Sequence, residues 1–241
     1  MAACSDQAWA RTRPARLARE LVIRGVFGSI VGTYAQRRIA GLEHLEGVEG
    51  PVIFVANHCS HVDTPVLLLS LPAKPRRRTA VAAAADYFYT SWLLAAGVSL
   101  AFGTVPIDRR GHGADADIAH LLDDGWSLLV FAEGTRSRDG RVGRMRSGAA
   151  ALAAEHGLPI VPVHISGTRE AMPIGRRWMV RPDHGGRWAR HTISVSFGTP
   201  INVENRFDAM AQVRRFMESC GAETTGDLAS ARSARGIATA R

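Results

Sequence analysis

The chain has 241 residues, 46% hydrophobic and 22% charged, which is enough for one well-cored domain and requires no second. Thirty basic residues against 22 acidic ones give a formal charge of +8, and Lys74 is the only lysine, so the basicity is guanidinium chemistry. That surplus favours acidic partners (phosphorylated metabolites, anionic lipid or nucleic acid), while the hydrophobic content excludes a disordered tail protein and the absence of any recurring period excludes a solenoid.

Cys4, Cys59 and Cys220 are an odd count without CxxC spacing. A disulfide framework and a Cys-rich zinc site are therefore not expected, and the reducing cytosol is the parsimonious compartment. Arginines at 11, 13, 16, 19 and 24 interrupt any uninterrupted apolar leader, so secretion by signal peptide is not expected.

In chain order, residues 9–38 mix apolar positions with those arginines and read as a helix with a broad apolar face. It either packs on the core or lies at an interface with its arginines against lipid headgroups. After Gly50 and Pro51, VIFVA (52–56) is a short apolar run of the kind buried on both faces of a sheet. NHCSHVDTP follows, and Pro65 confines the strand-to-helix turn to residues 57–64. Helical patterns at about 86–96, 114–124 and 146–157 alternate with strand-like VPI (105–107), SLLVFA (127–132) and PIVPVHI (159–165). This alternation predicts an α/β domain with a mainly parallel central sheet flanked by helices. The uncharged stretch 88–107 is about as long as a bilayer core is thick, but its glycines, Pro106 and hydroxyls favour a buried helix followed by a core strand. A basic segment from Pro173 to His191 leads to a strand-like TISVSFGTPI (192–201) and a last helix at about 206–219. Residues 221–241 carry almost no large apolar side chains and are expected to form a mobile C-terminal tail. The expected organisation is a helical N-terminal segment (1–40), a main domain (41–220) and that tail.

Ligands of open α/β sheets gather at the C-terminal ends of strands. There the sequence places Asn57, His58 and Asp63 after the first strand, Asp108, Arg109 and Arg110 after VPI, and Glu133, Gly134, Thr135 and Arg136 after SLLVFA. His58 and Asp63, five apart across a turn, can form a base and its orienting carboxylate, a unit suited to deprotonating a substrate hydroxyl. The same residues also fit a helix start, with Ser60 and Asp63 as a capping box, and both readings stand. His58, His61 and Asp63 lack the HxHxDH spacing of binuclear hydrolases, and zinc ranks well behind. Gly134 would let backbone approach an anion closely, and Arg136 offers a planar fork for phosphate. No GxSxG elbow or P-loop occurs. The charge and the run Arg76–Arg78 raise nucleic-acid binding, but no helix-turn-helix, RNP or zinc-finger pattern accompanies them.

Taken together, these blocks resemble the glycerolipid acyltransferase family, most closely its 1-acylglycerol-3-phosphate acyltransferases. The NHxxxxD block is matched by Asn57, His58 and Asp63, and the strand ending in arginine by VPIDR with Arg109. The FPEGTRS block is FAEGTRS here, and the VPV block is Val161, Pro162 and Val163. Ala132 stands where proline is usual, and Arg146 where a lysine often follows. The similarity runs from about Gly41 to Ile201 and implies a glycerol-3-phosphate acyltransferase-like fold. It implies that His58 is the general base oriented by Asp63, and that Asn57, Arg109, Glu133, Gly134, Thr135 and Arg136 bind the acceptor. It further implies an acyl thioester of coenzyme A or acyl carrier protein as donor, no metal or organic cofactor, and 1-acylglycerol 3-phosphate or a related hydroxyl as acceptor. A peripheral protein at the cytoplasmic face of the membrane follows, without nucleic-acid partner; the oligomeric state stays open.

Overall fold

The computed structural model describes residues 7–84, 92–107, 116–137 and 139–238. Its frame is a seven-stranded sheet in the order β1-β7-β6-β2-β5-β3-β4. The strands are β1 (Ala35–Ala40), β2 (Ile53–Ala56), β3 (Thr79–Ala84), β4 (Thr104–Ile107), β5 (Ser127–Phe131), β6 (Ile160–Ser166) and β7 (His191–Phe197). Every pairing is parallel except β6 with β7. The helices are α1 (Arg13–Leu21), α2 (Gly28–Tyr34), α3 (Asp63–Ser70), α4 (Ala73–Arg76), α5 (Trp92–Phe102), α6 (Ala116–Asp123), α7 (Gly148–Glu155), α8 (Thr168–Ala171) and α9 (Arg206–Ala238), with a π-helical turn, Val22–Phe27, joining α1 to α2.

Period-two alternation divides the central strands between two cores. Phe54, Ala56, Leu129, Val161, Val163 and Ile165 face α3 and the N-terminal helices, where Ile23, Val66, Leu67 and Leu68 are buried. Ile53, Val55, Leu128, Val130 and Ile160 face the opposite layer, built from Leu121 of α6, Ala150 of α7 and Val213 and Met217 of α9. Both faces of β2 are therefore dry, as its unbroken apolar run predicts.

Two expectations change, and the sheet gains one strand not expected from the sequence. Residues 35–40 are a strand and not the end of a helix, so the helical N-terminal segment stops at Tyr34 and β1 joins the main sheet beside β7. As an edge strand with four of six residues exposed, AQRRIA has no apolar run to announce it. The last helix runs to Ala238, carrying helical backbone through most of the segment expected as a mobile tail. Its Ala, Arg and Glu residues sustain a helix by propensity where no apolar stripe marks one. Finally β3, TAVAAA, is a strand that its alanines conceal.

The uncharged stretch 88–107 contains an eleven-residue helix, α5, and then β4. No helix among the described residues is long and apolar enough to cross a membrane. The N-terminal helices are tied to α5 by Arg19, only 4% exposed, whose guanidinium donates to the carbonyls of Ala10 (2.6 Å) and Leu100 (3.1 Å). A cation over the last carbonyls of α5 also complements the helix dipole. Burial, then the charges of Arg16 and Arg11, lower its pKa to about 10.

Candidate active site

The parallel order brings the C-terminal ends of β2 and β5 side by side, with Ala56 opposite Phe131. His58, two residues beyond β2, thereby meets the loop that follows β5. Its ring stacks on Phe131 with centroids 4.1 Å apart, and its carbonyl accepts from the Ser137 N–H at 2.7 Å. The Glu133 carboxylate bridges the two loops. Oε1 accepts from the His58 N–H at 3.1 Å, and Oε2 accepts from the Gly143 N–H at 3.0 Å. Burial raises the Glu133 carboxyl above the usual carboxylate range, opposed by these two backbone donors.

Asp63 is fully buried at the start of α3. Its Oδ2 lies 2.8 Å from His58 Nδ1 and accepts from the backbone N–H groups of Cys59 (2.6 Å) and Ser60 (2.8 Å). This one oxygen realises the orienter reading, and the bond to Nδ1 fixes the ring with that nitrogen protonated. The capping-box expectation is not met: α3 opens at Asp63 with Val62 in the cap position and no side-chain cap bond, and the Ser60 hydroxyl donates instead to the Met172 carbonyl. The bonds to the Cys59 and Ser60 N–H groups tie down the turn before the helix. With Nδ1 engaged, Nε2 carries the lone pair, has no protein partner among the described residues, and belongs to a side chain 19% exposed. Cys59, next in the chain, is no rival nucleophile: burial, then the charges of Asp63 and Glu133, push its thiol up to about 12.

The remaining expected residues fall in different places. Asn57 is turned inward, its amide accepting from the Ile165 N–H (2.8 Å) and donating to the Ile165 carbonyl (2.9 Å). It clamps β2 to β6 and is not open to a ligand, which corrects the substrate-binding expectation. Gly134 takes φ +69°, the left-handed turn that favours glycine, and Thr135 is exposed. Arg136 reaches this rim: desolvation, then the charges of Arg136 and His58, hold His61 below the ordinary histidine range. Arg109 lies outside the described residues. Beside Glu133 opens a cavity of about 720 Å³ lined by Arg144, Met145, Arg146, Ser147, Phe207 and Met210, two guanidiniums set against apolar side chains. Phe207 and Met210 come from α9, far along the sequence, and only the packing of that helix reveals them. Among the described residues, no group of three or more His, Cys, Asp or Glu side chains is placed to hold a metal.

The sequence of residues 36–166, more than half of the chain, matches the family model described as Acyltransferase. The chain belongs to the acyltransferase family. It is 33% identical over 152 residues to the 1-acyl-sn-glycerol-3-phosphate acyltransferase BAT2 of Brassica napus, covering 61% of this chain and 41% of that protein. It is 31% identical over 153 residues to the lyso-ornithine lipid O-acyltransferase of Pseudomonas aeruginosa, covering 60% of this chain and 56% of that one. The chain thus spans about two-fifths to just over half the length of these relatives. The fold is that of the 1-acyl-sn-glycerophosphate acyltransferase PlsC of Thermotoga maritima, with a TM-score of 0.60 at 22% identity, covering 89% of this chain and 83% of that one.

Proposed function

We propose that this acyltransferase moves a fatty acyl group from an acyl thioester, carried by coenzyme A or acyl carrier protein, to the free hydroxyl of 1-acylglycerol 3-phosphate, yielding phosphatidate. The observation that carries this reading is the His58–Asp63 pair, with Nε2 open, on the same rim as Glu133, Arg136 and the arginine-lined cavity. Nε2 takes the proton of the acceptor hydroxyl as its oxygen attacks the thioester carbonyl. The tetrahedral adduct collapses, the carbon–sulfur bond breaks, and the departing thiolate recovers the proton from the imidazolium. Asp63 stabilises that imidazolium and holds its tautomer, while stacking on Phe131 fixes the ring plane. A thioester is already activated, so no covalent protein intermediate is needed. Metal and organic cofactors have no part in this scheme.

In this reading Arg144 and Arg146, which line the cavity beside Glu133, receive the acceptor's phosphate with Arg136, and Arg109 joins them on the strength of its motif. Glu133 acts by joining the two loops, since its oxygens are held by backbone donors. A second acceptor is favoured by one finding, the relative named for lyso-ornithine lipid. Mass spectrometry of products from acyl-coenzyme A and acyl carrier protein, offered with lysophosphatidate, lyso-ornithine lipid and glycerol 3-phosphate, decides among these. Phosphatidate as the dominant product supports the proposal, and exclusive acylation of another acceptor overturns it.

The same reading places the protein peripherally on a cytoplasmic membrane face. Leu17 (64% exposed), Leu21 (75%) and Val26 (53%) turn outward while Arg19 turns in, favouring the interfacial reading of the N-terminal helices. The basic segment docks against them: Trp178 Nε1 donates to the Tyr34 hydroxyl, and the Arg181 guanidinium sits over the rings of both Tyr34 and Trp188. Exposed Trp178 and Trp188 amid arginines extend that apolar and cationic surface. Quantitative recovery of folded protein in the soluble fraction at low salt would contradict this placement.

A further inference from the structure

A second cavity, of about 580 Å³, lies between the N-terminal helices and the α3–α4 corner, lined by Arg24, Gly28, Ser29, Arg37, Leu69, Ala73 and Arg76. Three guanidiniums on one cavity wall repel one another and need compensation. Glu20 supplies part of it. Its two oxygens take Arg76 Nη2 and Nε, at 2.5 and 3.1 Å, and it stands 3.9 Å from Arg24 and 4.0 Å from Arg77. Arg76 is further held by the Leu71 carbonyl at 2.9 Å.

Arg37 is different. It extends from β1, and its Nη1 is sealed from solvent without a hydrogen-bond acceptor among the described residues. Burial, then the charge of Arg76, lower its pKa, so a second cation lies within electrostatic reach. Among the described residues one carboxylate, Glu20, thus stands against the three guanidiniums of the cavity and Arg77, and it is held chiefly by Arg76. The Arg37 Nη1 atom has no surface for a ligand to touch, but Arg37 lines the cavity together with Arg24, Arg76 and Ser29. An anion with several acceptor oxygens seated there would offset the guanidinium charge that Glu20 leaves uncompensated.

We infer that this cavity is a binding site for a phosphate group, separate from the arginines of the candidate active site. Phosphate matches the chemistry, since planar guanidinium forks pair with its oxygens. The outward Leu21 and Val26 flank Arg24 in sequence, so an anionic lipid headgroup and a free phosphate are the two sources of that one chemistry.

The test uses the full chain and reads binding only, so it stands or falls independently of acyl transfer. Melting temperature is followed with inorganic phosphate against chloride at matched ionic strength. Co-sedimentation is followed with phosphatidylcholine vesicles, with and without phosphatidylglycerol. A rise with phosphate that Arg24→Gln diminishes assigns a free phosphate, and preference for the anionic vesicles without that rise, again diminished by Arg24→Gln, assigns a headgroup. A response that Arg24→Gln leaves unchanged belongs to the candidate active site or to the net charge and overturns the proposal. Arg37→Gln is expected to weaken the response about tenfold, as loss of a charge-assisted contact implies. Arg24→Gln, whose side chain is two-thirds exposed, is expected to weaken it severalfold and remains decisive should Arg37→Gln fail to fold. Arg215→Gln, an exposed charge on α9, is expected to change it less than about twofold. No response of the wild-type chain in either arm, or an equal loss in Arg215→Gln, would overturn the proposal.

Discussion

Replacing Asp63 with Asn separates the two tasks of this buried carboxylate. The amide oxygen can still accept from the Cys59 and Ser60 N–H groups, now 2.6 and 2.8 Å from Oδ2, so the turn leading into α3 is retained. What disappears is the negative charge beside His58 Nδ1, at 2.8 Å. Unit charges centred about 4 Å apart interact by about 4 kcal/mol at an effective dielectric near 20. Loss of that term from a transition state carrying an imidazolium corresponds to roughly a thousandfold in kcat. The weakened hydrogen bonds cost stability by about 1–3 kcal/mol, partly offset because a charge no longer has to be buried. The assay is release of free thiol from an acyl thioester in the presence of lysophosphatidate, run beside thermal melting. A thousandfold fall in kcat in a folded variant, with KM little changed, is expected. Activity within tenfold of wild type would refute the orienter role and leave Asp63 only as the acceptor that holds the turn before α3.

Glu133→Gln can satisfy only one of the two backbone donors that Glu133 now accepts. It is expected to lower kcat by about tenfold or more with a fall in melting temperature, and unchanged melting together with unchanged kcat would contradict the bridging role. Gly103→Ala forces an L side chain into φ +63°, with Cβ 2.8 Å from the Arg19 guanidinium carbon, displacing the group that ties the N-terminal helices to α5. Denaturant unfolding is expected to show a loss of about 2 kcal/mol. His164, buried in β6, has its pKa lowered to about 4 by burial. Because that value is below the ordinary one near ~6.5, the unfolded chain binds the proton more readily, and stability falls as pH drops through this window. Between pH ~7 and pH ~5 this residue alone costs about 2 kcal/mol, a difference that His164→Asn is expected to abolish in paired melts.

The core of the fold was legible because buried parallel strands are apolar without interruption: VIFVA, SLLVF and PIVPVHI stand close to where β2, β5 and β6 are found. Elements whose environment is not apolar on both sides were hidden, as β1 shows at the exposed edge and β3 with its alanines. The pairing of His58 with Asp63 followed from spacing across a turn, and its nearness to Glu133 from the rule that strand ends share a rim. The direction of Asn57 did not follow, since a short polar residue after a strand can face either the rim or the neighbouring strand, and only the position of Ile165 decides. Nor did Phe131 beneath the imidazole. Its contact depends on the register that sets Ala56 against Phe131, a relation between strands distant in sequence.

The most direct test compares the wild-type chain with His58→Ala for acyl transfer from a labelled thioester to lysophosphatidate, with folding verified by melting. Removal of a general base is expected to lower kcat by roughly 10²–10⁴-fold while thioester and acceptor still bind. Turnover by the alanine variant within a few-fold of wild type would show that the proton leaves the acceptor by another route.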